Sequence, residues 1–567
     1  MEINIKLYKE TGGTPEDIVV TEGTSIEDIY LQLRSHLPYR IITARVDGDD
    51  VSLNKSLIRD CEVTLCDIRD NTANRTFQRG LSLIYLKAMS EVLGPFAHVL
   101  IMNSVNRGIY TTVDFVDENG NKTDRKITER DLQLVEKYMW KLVDANIAIN
   151  TTTVSKEALF SYLEKIGSNE KLKLLQNAPD LSFINVCDLD GYTNYFYGIM
   201  PPSTGYIQLF ALDLYHGGVL VRFPHPSDPL RIPMYTRDDK IFEAYQEEHK
   251  ILEIFDLSYI SDIDRAITAG NAEEMIQMAE IFHTEKIESL AEKIVASGKR
   301  VILVAGPSSS GKTTFSLRLI EAIGRHGQKP LYLGTDDYFL ERENAPRDKN
   351  GEFNFEGLSA MDVKLFTSSV NSLLAGKNTD LPRFDFIEGK KFFGERFEQL
   401  APGQSIVVEG IHALNQKMSK DVDDSTKFKI YISPLTQLNI DDHNRVPSTD
   451  IRLLRRMLRD NRTRGRDPRE TLKGWRKVRE GESVNIFPYN SEADEVFNST
   501  LLYELPVIRK YAVPLLEDLR PGDPEYGYAK WLLYFLCFFR PMSDEDEALI
   551  PKESILREFV GGGMAED

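Results

Sequence analysis

The chain has 567 residues, 41% of them hydrophobic, and a formal net charge of −19 at pH 7. At roughly 100–200 residues per domain this length predicts three or four domains, and the apolar content excludes global disorder. The acidic balance opposes general binding to nucleic acid or anionic membranes, because the field of the whole molecule repels phosphate backbones.

From the amino terminus, alternating Ile3, Ile5 and Leu7, then Ile18–Val20, a helix capped by Ser25, and strands at 41–46 and 61–65 predict a small β-grasp unit over residues 1–66. Arg69 to Gly80 reads as a polar connector. An α+β segment is expected next, with strands at 98–102 and 109–115, a helix opened by Thr128 and Asp131, and another helix after Ser155. Pro224 to Pro233 marks a boundary, and residues 239–296 carry apolar side chains at helical spacing, with His283 on the same stripe as a core histidine. Four cysteines, at 61, 66, 187 and 537, show neither zinc-site spacing nor a disulfide framework. The start of the chain has no signal-peptide core, and the longest apolar stretch, Trp531–Phe539, is too short to cross a bilayer. A cytoplasmic protein with no membrane partner is expected.

The apolar run Val301–Ala305 leads directly into Gly306-Pro307-Ser308-Ser309-Ser310-Gly311-Lys312-Thr313-Thr314. Strand, GxxxxGK[ST] loop and following helix are in register for a phosphate-binding loop. Gly306 and Gly311 let the backbone curl so that N–H groups, including those of Ser308, Ser309, Ser310 and Thr314, face phosphate oxygens. Lys312 reaches the β- and γ-phosphates and Thr313 holds Mg²⁺ through its hydroxyl. ATP and Mg²⁺ are the expected cofactors. A GTPase is disfavoured because no NKxD motif follows.

Further elements suit phosphoryl transfer. The strand at 330–334 ends in Asp336-Asp337, where a carboxylate can take a proton from an attacking hydroxyl or help order the metal; a solvated turn is the alternative. The strand at 405–408 ends in Glu409, the second acidic group expected near the metal, and His412 either lines the site or satisfies backbone. Arg452, Arg456 and Arg459 share a helix face, few acids are interspersed with them, and Gly465 permits a turn that puts Arg464 and Arg466 on a mobile flap. Such a cluster is a lid for phosphate, against a merely solvated charged face. The clusters 351–356 and 381–386, rich in Phe and acids, suit a pocket for a flat ring and sugar hydroxyls, or ordinary loop anchoring.

Together GPSSSGKTT, TDDYF, FNFE, LPRFDF, VVEG and RRMLRDNRTRGRD resemble the uridine kinase and phosphoribulokinase family of P-loop kinases over about 220 residues. The resemblance implies that Asp336 is the general base toward a substrate 5′-hydroxyl and that Lys312, Thr313 and Glu409 manage phosphates and Mg²⁺. It also implies that Glu356 holds the ribose, that Arg456 and Arg459 meet substrate or phosphate, and that Arg464 and Arg466 form the lid. Phe384 and Phe386 match positions lining the base pocket. The histidine that reads the pyrimidine corresponds here to about Gly389.

Residues 1–222 resemble the amino-terminal half of threonyl-tRNA synthetase, on 97–100, the turn 107–110 and the helix 131–146. The editing site of that family uses HxxxH and CxxxH pairs. Here the first is replaced by Leu81–Tyr85, and Cys187 is followed by Gly191 where the second histidine belongs. The resemblance therefore implies a scaffold for regulation, ligand sensing or dimerisation, with tRNA contact as the weaker alternative.

The expected fold is an α/β P-loop kinase, with a parallel sheet flanked by helices, preceded by a β-grasp domain and an α+β domain. The layout is a TGS-like unit at 1–66, an editing-like unit at 67–223, a helical connector at 224–297, the kinase at 298–520 and a tail packing on it at 521–567. The expected activity is transfer to a primary hydroxyl of a nucleoside. Two alternatives stand beside it: a kinase of a sugar phosphate or vitamin precursor, and an RNA-associated regulator switched by ATP.

Overall fold

The computed structural model describes residues 1–105, 107–166, 169–177, 181–234, 238–347, 351 and 353–564. Strands β1 (Glu2–Tyr8), β2 (Pro15–Thr21), β3 (Ile41–Val46), β4 (Asp49–Val51) and β5 (Cys61–Asp67) form one sheet in the order β2-β1-β5-β3-β4. Every second residue of β1 (Ile3, Ile5, Leu7) is buried, and helix α1 (Ile26–Leu33) adds Ile26, Ile29 and Tyr30 to the same core. Ser25 and Asp28 cap α1 reciprocally, as the sequence indicates.

The expected connector at 69–80 is instead the start of a long helix, α2 (Asn71–Leu93). Asp70 caps it by accepting from Thr72 and Ala73, and Thr76, Phe77 and Gly80 bring a buried stripe into its first turns. Gly80 is required by packing: a Cβ there would lie 2.5 Å from the Pro201 ring. Beyond α2, β6 (Ala97–Val105) and β7 (Gly108–Phe115) form a hairpin, and α3 (Glu129–Asp144) follows a capping box on Thr128 and Asp131. Next come β8 (Asn150–Ser155), α4 (Lys156–Ile166), α5 (Asn169–Asn177), β9 (Phe183–Leu189), β10 (Tyr192–Tyr195), β11 (Ala211–Tyr215) and β12 (Gly218–Arg222). They give two antiparallel sheets, β10-β9-β8 and β11-β12-β7-β6.

Helices α6 (Asp239–Ile254), α7 (Ile260–Thr268) and α8 (Ala272–Ser297) then lead to the kinase. Ile287, Leu290 and Ile294 of α8 join a core with Ile302 and Phe315. His283 lies in this core, 1% exposed, and burial pushes its pKa down to about 4, so it is neutral.

The sheet of the second half is parallel: β13 (Val301–Ala305), β14 (Leu331–Gly334), β19 (Ile406–Glu409), β20 (Lys427–Ser433) and β23 (Glu495–Asn498), ordered β14-β19-β13-β20-β23. The central β13 is apolar throughout, and β19 is apolar up to Glu409, because helices cover both faces. Those helices include α9 (Lys312–Arg325), α10 (Val363–Leu374), α11 (Ser448–Arg464), α12 (Pro468–Asn485) and α13 (Glu504–Glu517). Three short hairpins decorate the sheet: β15 (Thr379–Asp380) pairs β18 (Phe397–Glu398), β16 (Arg383–Asp385) pairs β17 (Lys390–Phe392), and β21 (Asn439–Asp441) pairs β22 (Asn444–Arg445).

The last segment holds α14 (Tyr526–Leu536), α15 (Asp544–Glu547) and α16 (Arg557–Val560). Ile555, Leu556 and Phe559 are fully buried against kinase residues. In the acidic run after Ser543, Asp544 and Glu545 are exposed, as the composition indicates, whereas Glu547 is 7% exposed and pairs with Lys510 and Tyr511. No helix among the described residues is long and apolar enough to cross a membrane.

Candidate active site

The carboxyl ends of β13, β14 and β19 open onto one cleft, the place where a doubly wound sheet receives ligands. The loop 306–311 leaves β13 and starts α9, with Ser309 at φ 59° and Gly311 at φ 85°. Gly306 passes so close to β20 that a Cβ would stand 2.0 Å from the Ile432 carbonyl oxygen, so only glycine fits. Lys312, 9% exposed, donates to the Pro307 carbonyl at 3.1 Å. Ser309 and Ser310 are buried, and their hydroxyls have no partner among the described residues.

On the metal side, the Thr313 hydroxyl lies 3.3 Å from Glu409 Oε2, which also accepts from Tyr332 at 3.0 Å. Burial raises the Glu409 pKa, while Lys312 opposes the rise. No group of three or more His, Cys, Asp or Glu among the described residues could hold a metal alone. A hydroxyl and a carboxylate side by side nonetheless fit Mg²⁺, which takes one or two protein oxygens and completes its shell with water and phosphates.

The two aspartates of the 336–337 pair do different jobs. Asp337 accepts from the Phe384 N–H at 3.1 Å and faces Arg396, so it fastens the β16 hairpin. Asp336 is open to solvent in the cleft and has no hydrogen-bond partner among the described residues. The protein crowding its carboxyl raises its pKa, Lys312, Arg459 and Arg464 lower it, and Asp337 adds to the rise.

Helix α11 presents its arginine face to the loop. Arg452 Nε donates to the Ser308 carbonyl at 3.0 Å and its guanidinium pairs with Glu482, which accepts from the Ser308 N–H at 3.0 Å. Arg456 donates to the Ser308 hydroxyl at 2.8 Å. The expectation that few acids are interspersed to pair with these arginines is corrected: Asp460, fully buried, lies within 4 Å of Arg456, Arg459, Arg464 and Arg466, and Glu470 pairs with Arg466. Arg464 closes α11, Gly465 caps it at φ 60°, and α12 begins at Pro468, so Arg464 and Arg466 sit on a tight interhelical turn.

The aromatic clusters meet. Phe339 is ringed by Phe355, Phe384 and Phe386 at 5.9, 6.0 and 5.9 Å between centroids, and Phe386 is 61% exposed. Glu352 of the first cluster lies outside the described residues. Glu356 lies over Gly481, its pKa raised by burial and lowered by Arg456. Gly389 has φ 69°, and Arg342 packs where its side chain would be while donating to the Phe386 and Ile387 carbonyls. His412 neither lines the cleft nor satisfies backbone: it is fully buried, its ring nitrogens lack partners among the described residues, and burial pushes its pKa down to about 4.

Four participants escape sequence reading: Asp460, Glu482, Arg342 and Glu558. Glu558, in α16, accepts from the Thr314 N–H at 3.3 Å and hydroxyl at 3.1 Å and faces Arg459 at 3.8 Å. It is 244 residues from Thr314, and no local pattern announces the pairing.

Residues 301–502 match the phosphoribulokinase / uridine kinase family. A uridine kinase of Deinococcus deserti is 30% identical over 175 residues, which are 31% of this chain and 75% of that protein. A uridine kinase of Ligilactobacillus salivarius is 30% identical over 178 residues, 31% of this chain and 74% of its own. The solved structure of a possible uridine kinase from Bacillus stearothermophilus, 21% identical, covers 38% of this chain and 98% of that one at a TM-score of 0.26. Through its carboxyl-terminal region the chain belongs to the phosphoribulokinase / uridine kinase family of P-loop kinases.

Proposed function

We propose that this chain transfers the γ-phosphoryl group of ATP to a primary hydroxyl of a small molecule of the nucleoside class. The observation that carries the reading is Asp336, an exposed carboxylate without a hydrogen-bond partner among the described residues, just past the carboxyl end of β14 and close enough to Lys312, Arg459 and Arg464 for their charges to lower its pKa. Thr313 and Glu409 would hold Mg²⁺, which would supply positive charge to offset that of the donor phosphates. The acceptor oxygen bonds to Pγ, the bridging Pγ–O bond to ADP breaks, and the acceptor proton passes to Asp336. A carboxyl pKa raised by the crowded cleft brings that base closer to neutral pH, which favours proton transfer.

The arginines supply the charge. Asp460 gathers four guanidiniums, and with Glu558 on Arg459 and Glu470 on Arg466 the cluster still holds more cations than carboxylates beside the loop where phosphate charge develops. Phe339, Phe355, Phe384 and Phe386 offer ring faces to an acceptor, and Glu356 offers a carboxylate for its hydroxyls.

A second reading, an acceptor other than a pyrimidine nucleoside, is favoured by Arg342 packed over Gly389 in place of a base-reading histidine. The front half, with Cys187 fully buried and Gly191 on a turn, suits a scaffold and not aminoacyl hydrolysis. The test is ADP release from ATP and Mg²⁺ over a panel of nucleosides, sugar phosphates and other alcohols. Release with one nucleoside supports the first reading, and release with a different alcohol supports the second. No release with any acceptor, together with tRNA bound to the purified chain, would leave an RNA-associated switch.

A further inference from the structure

A cavity of ≈ 2050 Å³ separates the front half from the kinase. Its floor is built from three elements. Helix α2 brings Arg75 and Arg79 one turn apart on one face, β22 brings Arg445, and α14 brings Tyr528 and Trp531, with Asp450 of α11 buried behind them.

Asp450 is fully buried and already saturated: it accepts from Arg75, from Tyr528 at 3.0 Å and from Trp531 Nε1 at 3.0 Å. Arg79 donates to the Ile199 carbonyl at 3.1 Å and lies over Trp531, but meets no carboxylate within ion-pair distance among the described residues. Arg445 likewise has none, and one terminal nitrogen of Arg75 is buried without a partner. Asp50 and Asp70 both pair with Arg45, so the carboxylate they hold in excess is shared with that arginine. Burial lowers the pKa of Arg79, with Arg75 adding to the fall, and burial lowers that of Arg445. Both shifts have the same origin, cations held away from water without enough counter-charge.

Guanidiniums in excess of carboxylates at the floor of a roomy cavity call for an anion. A phosphate monoester carries about −1.5 to −2 at neutral pH and presents oxygens that match the guanidinium fork. We propose that this cavity is a second ligand site, distinct from the phosphate loop, that takes a small phosphate ester with its phosphate between Arg75, Arg79 and Arg445. The volume leaves room for an organic part of nucleotide size, whereas the chain's charge of −19 disfavours a long polyanion. Arg445 and Asp450 stand at the start of α11, whose later turns carry Arg452 and Arg456 to Ser308, so the cavity and the phosphate loop are served by one helix.

The test uses the full-length Lys312→Ala chain, in which the phosphate loop is silenced. It is titrated calorimetrically with AMP and with ribose 5-phosphate, and in parallel with adenosine and ribose. The phosphorylated probes are expected to bind saturably and their parent alcohols not to bind. Adding Arg79→Gln or Arg445→Gln is expected to weaken binding at least tenfold while leaving the melting temperature of the unliganded chain unchanged or raised, because each removes an uncompensated cation. Should Arg79→Gln fail to fold, Arg445→Gln, at the end of a two-residue strand, carries the test alone. Absence of binding by either ester at millimolar concentration would overturn the site. So would affinities that both Gln variants leave intact, or binding of total tRNA alone.

Discussion

The Glu558 carboxylate caps the first turn of α9, accepting from both the N–H and the hydroxyl of Thr314, the residue that closes the phosphate loop. Those donors are of the kind the loop offers to a nucleotide phosphate. A carboxylate and a phosphate cannot share them, so the donor must displace Glu558. Replacing it by Gln keeps the shape, removes the charge, and is expected to lower the KM for ATP. At about 1 kcal/mol the change is roughly fivefold, with kcat little altered. Steady-state kinetics over ATP concentration checks this, and an unchanged KM would mean that Glu558 does not oppose the donor.

Asp336→Asn is expected to cut turnover by roughly 10²–10⁴-fold while ATP binding persists, since the amide cannot take the acceptor proton. Asp337→Asn acts differently. It loosens the Phe384 tether, so the effect should fall on the KM for the acceptor. Single-turnover rates beside ATP titrations separate the two, and near-normal turnover in Asp336→Asn would remove it from the base role.

Asp460→Asn leaves four guanidiniums facing one another around a buried amide. The expected cost is on the order of 3 kcal/mol of stability. Tripolyphosphate should recover part of the loss by binding among the arginines. Melting with and without the anion reads both effects, and an unshifted melting temperature in its absence would show that Asp460 is not their hub.

Glu248 is buried, accepts from Asn498 at 2.6 Å, and has its pKa pushed up to about 8 by burial. An acid whose folded pKa exceeds its unfolded value stabilises most at low pH and loses that contribution as pH rises from about 4.5 to about 8. Glu248→Gln mimics the protonated form. It should therefore lie close to the parent at pH 5 and exceed it at pH 8.5, by about 4 kcal/mol for a shift of this size. Equal melting temperatures at pH 8.5 would count against a protonated Glu248.

Much of the kinase is legible from local chemistry. The loop 306–314 lies between a buried strand and a helix, and Asp336 and Glu409 end strands whose apolar runs are visible in the sequence. The start of α2 is harder to read. Asn71-Thr72-Ala73-Asn74-Arg75 is polar by composition, and only tertiary contacts with residues such as Pro201 and Trp531 make it a helix face. The arginine cluster is legible in number but not in state, because its counter-charges lie at Glu482 and Glu558 as well as Asp460. Such pairings depend on long-range geometry that no short window contains.

The hairpin that leads into α11 reaches across the molecule. Asn439 donates to the Ile101 carbonyl, Ile101 donates to Asp442, and Tyr197 donates to Asp441. Tyr195 and Tyr197 from the front share a core with Leu438, Ile440 and Phe538. The kinase is thus not a detachable cartridge. Cutting the chain near residue 298 would strip apolar partners from the support of the arginine helix, and the intact protein should unfold in a single calorimetric transition that both halves enter together.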